Sequence, residues 1–430
     1  MNASTSHIAR TPPYVAALLA VAVVFLPFGR MVEIPMLLLS ILGVISLGRR
    51  PRWNGGAPWG SLLLLYAAFA LPMLMALPDA VAAEKSLLTT IGSLRYLLSC
   101  CALLWFWEHI SDGRTDARLL EFVGFVAALC LVIWGVDGFW QFLTGRDLLG
   151  YGLGEGYVNG PFGEDDNIKF GITLALLTPM GVVHAFRNWR SSWAWALLLL
   201  CVLMVMLSGK RGAWITLVVE LVVLASYYHW RGSLSLRRLV LPGLVATLVL
   251  GSAFSASEWV QQRSRVLINA LDEPGYDQLY TATAKRLPIW STALRMGNDN
   301  WLNGVGPRGF RYAYATYAAP DDHWAQPASG TAGSRGSHAH QLVLELYAET
   351  GVGGLIGYLA MLVILIAAWR RAGSDARSRA MPYGVALAGM LWPINTHAAW
   401  YSSWSSLLLW LFLGLYLVAL SEFAQTEEAP

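Results

Sequence analysis

The feature that most constrains this chain is the recurrence of apolar runs about as long as a bilayer is thick. A spanning helix needs roughly 20 predominantly apolar residues. Such runs return near 14–29, 31–48, 59–78, 86–107, 119–143, 168–186, 192–208, 212–229, 239–256, 341–368, 382–400 and 403–420. The pattern predicts an all-α polytopic membrane protein with about twelve transmembrane helices. The first run lacks a small-residue cleavage site and continues almost directly into the second, so it reads as a span and not as a removable signal.

Lysine and arginine set the orientation. Arg10, Arg49, Arg50, Arg52, Arg114, Arg118, Arg187, Arg190, Arg231, Arg237, Arg238, Arg370, Arg371, Arg377 and Arg379 fall on one side, against Arg30, Lys85, Lys210 and Arg211 in the short loops opposite. With the crowded side in the cytoplasm, both termini are cytoplasmic and two long polar segments, about 144–167 and 257–340, lie outside. The chain then divides into spans 1–9 over residues 1–256, a long outer loop over 257–337, and spans 10–12 over 338–430. In that loop SEWVQQRSRVLINAL, with Trp259, Val266 and Leu267 as its apolar positions, and a segment near 286–297 read as helices. A structureless loop of this length is uncommon, so a largely helical cap is expected. The small-residue tract PASGTAGSRGS within it reads as mobile.

Composition removes several function classes. Only 13% of the residues are charged, against about a quarter in soluble domains, and the net charge is +3. That balance gives no footprint for nucleic acid. Cys100, Cys101, Cys130 and Cys201 all sit within expected spans as small hydrophobes, which argues against a disulfide framework. No Cys/His cluster has zinc-ligand spacing, and no cofactor motif stands out.

The outer face collects arginines: Arg211 in LSGKRGAW, then Arg263, Arg265, Arg286, Arg295, Arg308, Arg311 and Arg335. A guanidinium binds phosphate bidentately and keeps its charge, so an arginine-lined outer cavity suits a pyrophosphate. Arg211, with Lys210 beside it, lies where one span ends and the next begins. Arg286 is followed by Trp290 and then by the glycine turn NGVGPRGF, which permits close backbone approach either to a ligand or to the protein itself.

SHAHQLVLELYAETGVGG opens the tenth span with Ser337 as a candidate N-cap and His338 and His340 in the first turn. On such a helix His338, Gln341, Glu345 and Glu349 form one polar stripe, and His340, Leu344, Tyr347 and Gly351 another. Polar stripes in a membrane protein face a cavity or the bundle interior, and a histidine there can take the proton of an attacking hydroxyl. GPFGEDDNIKFG places Glu164, Asp165, Asp166 and Lys169 at the mouth of the sixth span, and APDDHW adds Asp321, Asp322 and His323. Such groups bind hard cations elsewhere, but without a D-x-D pattern metal-independent chemistry is expected here, with arginine in the cation's place. His397 lies among aromatics in INTHAAWYSSW, at an expected interface belt.

LSGKRGAW, KRLPIW with NGVGPRGF, and HQLVLELYAETGVGG together resemble the O-antigen ligase family, whose wider group includes O-antigen polymerases and pilin-glycosylating ligases. His340, Gln341, Gly351 and Gly354 occupy its H-[N/S/Q]-x9-G-x-x-G pattern, and GPFGEDDN resembles the family's segment before a central span. The resemblance implies a GT-C-like membrane glycosyltransferase in the bacterial inner membrane, its active site facing the periplasm. It implies a donor glycan on undecaprenyl pyrophosphate, used as a substrate with no separate cofactor, and an acceptor in the lipid A core oligosaccharide. His338 or His340 would be the base. Arg211 and Arg286 would clamp the pyrophosphate, with Lys210 and Arg265 assisting and Gln341, Trp290, Glu345 and Lys169 in support. Attack opposite the leaving group would invert the anomeric centre.

Two other readings make different demands. A polymerase would extend the glycan on its lipid carrier. A transporter of lipid-linked sugar would place charge near mid-membrane, where Arg95 and Glu220 are the main candidates.

Overall fold

The computed structural model describes residues 13–49, 58–110, 114–154, 156–163, 169–232, 258–272, 275–328, 332–396 and 399–421, with a few residues between 247 and 255. Among them the chain is helical, with no strand beyond isolated bridges. The helices are α1 (Pro13–Val24), α2 (Glu33–Gly48), α3 (Trp59–Met75), α4 (Ala83–Gly92), α5 (Leu94–Ile110), α6 (Arg114–Thr144), α7 (Lys169–Asn188), α8 (Ser191–Leu207) and α9 (Arg211–Trp230). Then come α10 (Glu258–Asp272), α11 (Tyr276–Ala282), α12 (Leu287–Asp299), α13 (Phe310–Tyr317), α14 (Leu342–Arg371), α15 (Ser374–Met390) and α16 (Ser403–Leu420). Among the described residues, seven helical segments are long and apolar enough to cross a membrane, and three shorter apolar helices accompany them.

The expected spans differ from this in three places. The ninth, 239–256, lies almost wholly outside the described residues, as do Arg10, Arg50, Arg52, Arg237 and Arg238. The first two are separated by a 3-10 turn, Leu26–Val32, in which Gly29 takes φ +61°. The fourth is matched by one candidate span, Ala83–Glu108, in which the turn at Ser93 between α4 and α5 keeps helical φ/ψ. The eleventh, expected at 382–400, runs instead from Ser374 to Met390, and Trp392 to Ser402 form a non-helical strap apart from 397–398, which are not described. Pro393 brings no backbone N–H to continue a helix.

Loops sort into two groups by their own bonds. Asn303 Nδ2 donates to Asp79 Oδ2 at 2.6 Å, Val158 N to Leu207 O at 3.1 Å, and Gln341 Nε2 to Pro393 O at 2.7 Å. These join loops all expected outside. At the other end Arg187 donates to Ser378 O at 3.0 Å, Arg231 to Ser374 and Ser378, and Arg379 to Ser421 O at 3.2 Å. The alternation read from arginine placement is therefore a physical alternation of bundle ends. Arg95, expected within the fourth span, sits at the outer end beside Glu33, the first residue of α2, at 3.1 Å. Glu220 is buried in α9 against Gly389 of α15.

Small residues let the site-bearing helix approach its neighbour. A Cβ at Gly357 would stand 2.2 Å from Ala68 O, so only glycine allows α14 to lie this close to α3. The four cysteines are buried and free.

The outer segment builds its own small core. Ile289, Ala293 and Met296 of α12 pack with Val305, Phe310, Ala313 and Tyr314, and with Ala339 and Ala348 of the following segment. In α10 the apolar anchor is Val260, which is buried, while the side chains of Trp259, Arg263 and Leu267 lie outside the described residues. The tract expected to be mobile is pinned where it is described: Ser334 N donates to Arg311 O and Gly336 N to Trp324 O, both at 3.0 Å.

Candidate active site

The histidines lie just before α14 and not in its first turn. Gln341 is the N-cap, its Oε1 accepting from Leu344 N at 2.5 Å, and this fixes the helix start at Leu342. His340 takes φ +52°, a left-handed conformation that ends any helical continuation backwards to Ser337. The kink folds the chain so that the two imidazoles meet, with ring centroids 3.7 Å apart and planes at 42°. Ser337 Oγ engages His338 Nδ1 at 3.0 Å. Charge on one ring opposes charge on the other at this separation.

The strap from Trp392 to Ser402 joins this corner to the arginines. Gln341 Nε2 holds Pro393 O at 2.7 Å and Leu342 N donates to Asn395 O at 3.0 Å. Arg286 Nη1 reaches Thr396 O at 3.4 Å. Arg286 and the residues next to His340 thus grip the same four-residue stretch. Glu345 fixes the strap's far end, its Oε1 accepting from Trp400 N at 2.8 Å, while its Oε2 is buried with no partner among the described residues.

Arg286 ends one turn and begins α12, whose second residue is Pro288. Burial first, and then the charge of Arg211, push its guanidinium down to about 10. The second cause places Arg211 nearby, although 75 residues separate the two in sequence (286 − 211). Arg211, the first residue of α9, donates to Ala282 O at the end of α11. Lys210 lies over the Tyr157 ring at 3.8 Å and Lys169 over Trp404 at 5.7 Å, so both ammonium groups are held against aromatic faces. Trp290 follows Arg286 by one helical turn, and its indole N–H is buried without a partner among the described residues.

Other expected residues go elsewhere. Arg265 is exposed on α10 and shares no bond with the arginine pair. Arg295 donates to Tyr317 O at 2.8 Å and Arg335 meets His323 Nε2 at 3.1 Å, so both serve the cap. Asp322 accepts from Tyr314 Oη and from Trp324 N. Glu164, Asp165, Asp166 and His397 lie outside the described residues.

The two polar stripes dissolve into structure. Glu349 Oε2 accepts from Arg308 N at 2.8 Å and Oε1 from Phe310 N at 3.4 Å, which caps α13. The glycine turn approaches the protein's own backbone. Gly351 breaks α14 with φ +62° and ψ −154°, which frees helix carbonyls that Val305 N and Gly306 N take up at Ala348 O and Glu349 O, each at 2.9 Å. Val352 N returns to Trp301 O at 2.8 Å. Gly351 is thus where the cap is fastened to the membrane helix.

The strap was missed in the sequence because it sits in an apolar stretch. The signal was Pro393 followed by Asn395 and Thr396, a breaker and two polar residues inside a supposed span.

A helical bundle with seven segments long and apolar enough to cross a membrane, among the described residues, fits a multi-pass membrane protein, and at one end of it two arginines and two histidines gather around one strap. Residues 196–359, which include the arginine pair and both histidines, match the family model described as O-antigen ligase, and that match supports an assignment to the family. No curated protein matches this chain.

Proposed function

We propose that this protein transfers an O-antigen glycan from undecaprenyl pyrophosphate to the lipid A core oligosaccharide on the periplasmic face of the inner membrane, both its termini being cytoplasmic. The observation that carries the reading is the shared strap: Arg286, on which the charge of Arg211 acts, and Gln341 and Leu342, which follow His340, hold the same stretch 393–396. That arrangement supports an anion clamp and a proton acceptor working at one place.

In this reading an acceptor hydroxyl attacks the anomeric carbon while His338 or His340 takes its proton. The bond from that carbon to the pyrophosphate oxygen breaks, and the charge that develops on the departing lipid pyrophosphate is met by Arg211 and Arg286. Lys210 and Lys169 add positive potential at the mouth, and Trp290 offers an indole N–H. Attack opposite the leaving group inverts the anomeric centre. Arginine does the work a divalent cation does in other pyrophosphate chemistry.

The test uses the purified full chain with undecaprenyl-pyrophosphate-linked glycan and rough lipopolysaccharide in chelator, followed by the size of the acceptor on a gel. Acceptor growth that survives chelation is expected. Alanine at whichever histidine is the base should lower kcat by about 10²–10⁴ with the donor KM little changed. Chain extension on the donor, with the acceptor untouched, would make the enzyme a polymerase. Loss of transfer in chelator, restored by Mg²⁺, would overturn the metal-independent mechanism.

A further inference from the structure

A second cavity, of about 140 Å³, opens between α3, α4, α5 and the start of α16 at the outer end of the bundle. Its polar lining is Lys85, Thr89, Ser93, Arg95, Ser403 and Ser406, and the lining contains two cations and no carboxylate. Arg95 is held rigidly. It donates to Glu33 at 3.1 Å, to Gly92 O at 2.6 Å, to Tyr96 Oη at 2.7 Å and to Ser403 Oγ at 3.2 Å. Glu33 stands outside the lining, so the cavity meets the cationic face of that pair. The N-terminus of α16, from which Ser403 and Ser406 come, adds the positive end of a helix dipole.

Next to this polar lining the surface is apolar. Leu88 lines the cavity, and Leu87, Leu88 and Ile91 of α4 are exposed on the bundle. A positive, hydroxyl-rich hollow flanked by exposed aliphatic side chains matches an amphiphile whose headgroup is anionic. Tyr401, at the end of the strap that holds Arg286, also lines it. We infer that this cavity binds the phosphate of an outer-leaflet lipid. Its placement beside the candidate active site suits the acceptor's lipid A phosphate, an extension that rests on the proposed glycosyl transfer. A bilayer phospholipid would use the same chemistry.

The experiment is direct binding to the full chain in neutral detergent, followed by native mass spectrometry. The probes are short-chain phosphatidylglycerol, bisphosphorylated lipid A, the same lipid A dephosphorylated, and inorganic phosphate. Saturable binding of a phosphorylated lipid is expected, weakened about tenfold by Lys85→Gln, the loss of one bond to a charged group. Ser403→Ala should weaken it further, and Lys85 is exposed, so its replacement leaves the fold intact. Binding of both phosphorylated lipids would mark a general headgroup site, and binding of lipid A alone an acceptor site. Equal binding of dephosphorylated lipid A, saturation by inorganic phosphate as tight as by lipid, or unchanged affinity in both variants would overturn the inference. Binding needs no catalysis, so failure of glycan transfer would count against the proposed function and leave this result standing.

Discussion

Arg286→Lys is the most informative single change, because the surroundings of Arg286 dictate how a lysine would titrate there. Burial, and after it the charge of Arg211, bring the arginine down to about 10, so it stays charged at neutral pH. A free lysine begins about two units below a free arginine and the same two causes act on it, so a lysine here loses its charge at a lower pH than the arginine does. The ammonium would lose charge as pH rises from 7 to 9, while the arginine would hardly change over that range. The assay is kcat/KM for the lipid-linked donor from pH 7 to pH 9, which reports the free enzyme. Dividing variant by wild type cancels every titration the two share, including that of the base. A constant deficit is expected from the lost planar fork, and on top of it a fall of the ratio between pH 7 and pH 9. Adding Arg211→Gln removes the second cause and should shift the fall to higher pH. A flat ratio would refute the claim that position 286 must carry charge in a dehydrated clamp.

Two further changes test how the cap is fastened. Gly351→Ala puts a side chain into a backbone region that is essentially glycine-only, at a cost on the order of 1–3 kcal/mol before the clash of its Cβ 2.4 Å from Leu302 O is counted. A lowered thermal midpoint and loss of transfer are expected, and an unchanged midpoint would contradict the fastening role. Glu349→Ala strips the acceptor from Arg308 N and should cost about 1–3 kcal/mol, read as faster proteolysis within residues 301–317. Glu349→Gln keeps an acceptor oxygen and should lose less, so equal loss in the two variants would show that charge, and not capping, is what Glu349 supplies.

Much of the bundle was readable in the chain because lipid imposes a local rule. Backbone polar groups must be satisfied within each crossing segment, so each span appears as a continuous apolar run. Arg211, Arg286, His338 and His340 were readable as residue types whose chemistry has few uses at a membrane surface. Their arrangement was not, because it depends on bonds between distant segments. Gln341 outcompetes Ser337 as N-cap through a local bond, yet it also reaches Pro393, 52 residues on. The strap is held out of a helix by Arg286, Gln341, Leu342 and Glu345, none of them near it in sequence. Glu349 looked like a cavity-facing acid and is a helix cap, because Gly351 lets the glycine turn fold back onto it. In each case the tertiary partner decides, and a periodicity argument has no access to it.

The contrast between two kinds of arginine in this chain gives the site its sign. Arg95 has a carboxylate at 3.1 Å, on the side away from the cavity that it lines, and that carboxylate offsets part of its charge. Arg286 has burial and a second guanidinium acting on it, both of which oppose its charge, and its bond goes to a carbonyl at 3.4 Å. Holding two cations together in a half-dehydrated corner costs free energy that packing alone does not return. A bound diphosphate would remove that repulsion, so under the proposed function part of the donor's affinity would be relief of repulsion between the two arginines. Inorganic pyrophosphate should therefore raise the thermal midpoint of the wild type, by mass action, more than orthophosphate at equal ionic strength. In Arg211→Gln the empty protein has less repulsion to relieve, and the pyrophosphate effect should shrink towards that of orthophosphate. Equal shifts for the two anions in the wild type would show that the arginines are held together for some other reason, and the clamp would lose its physical basis.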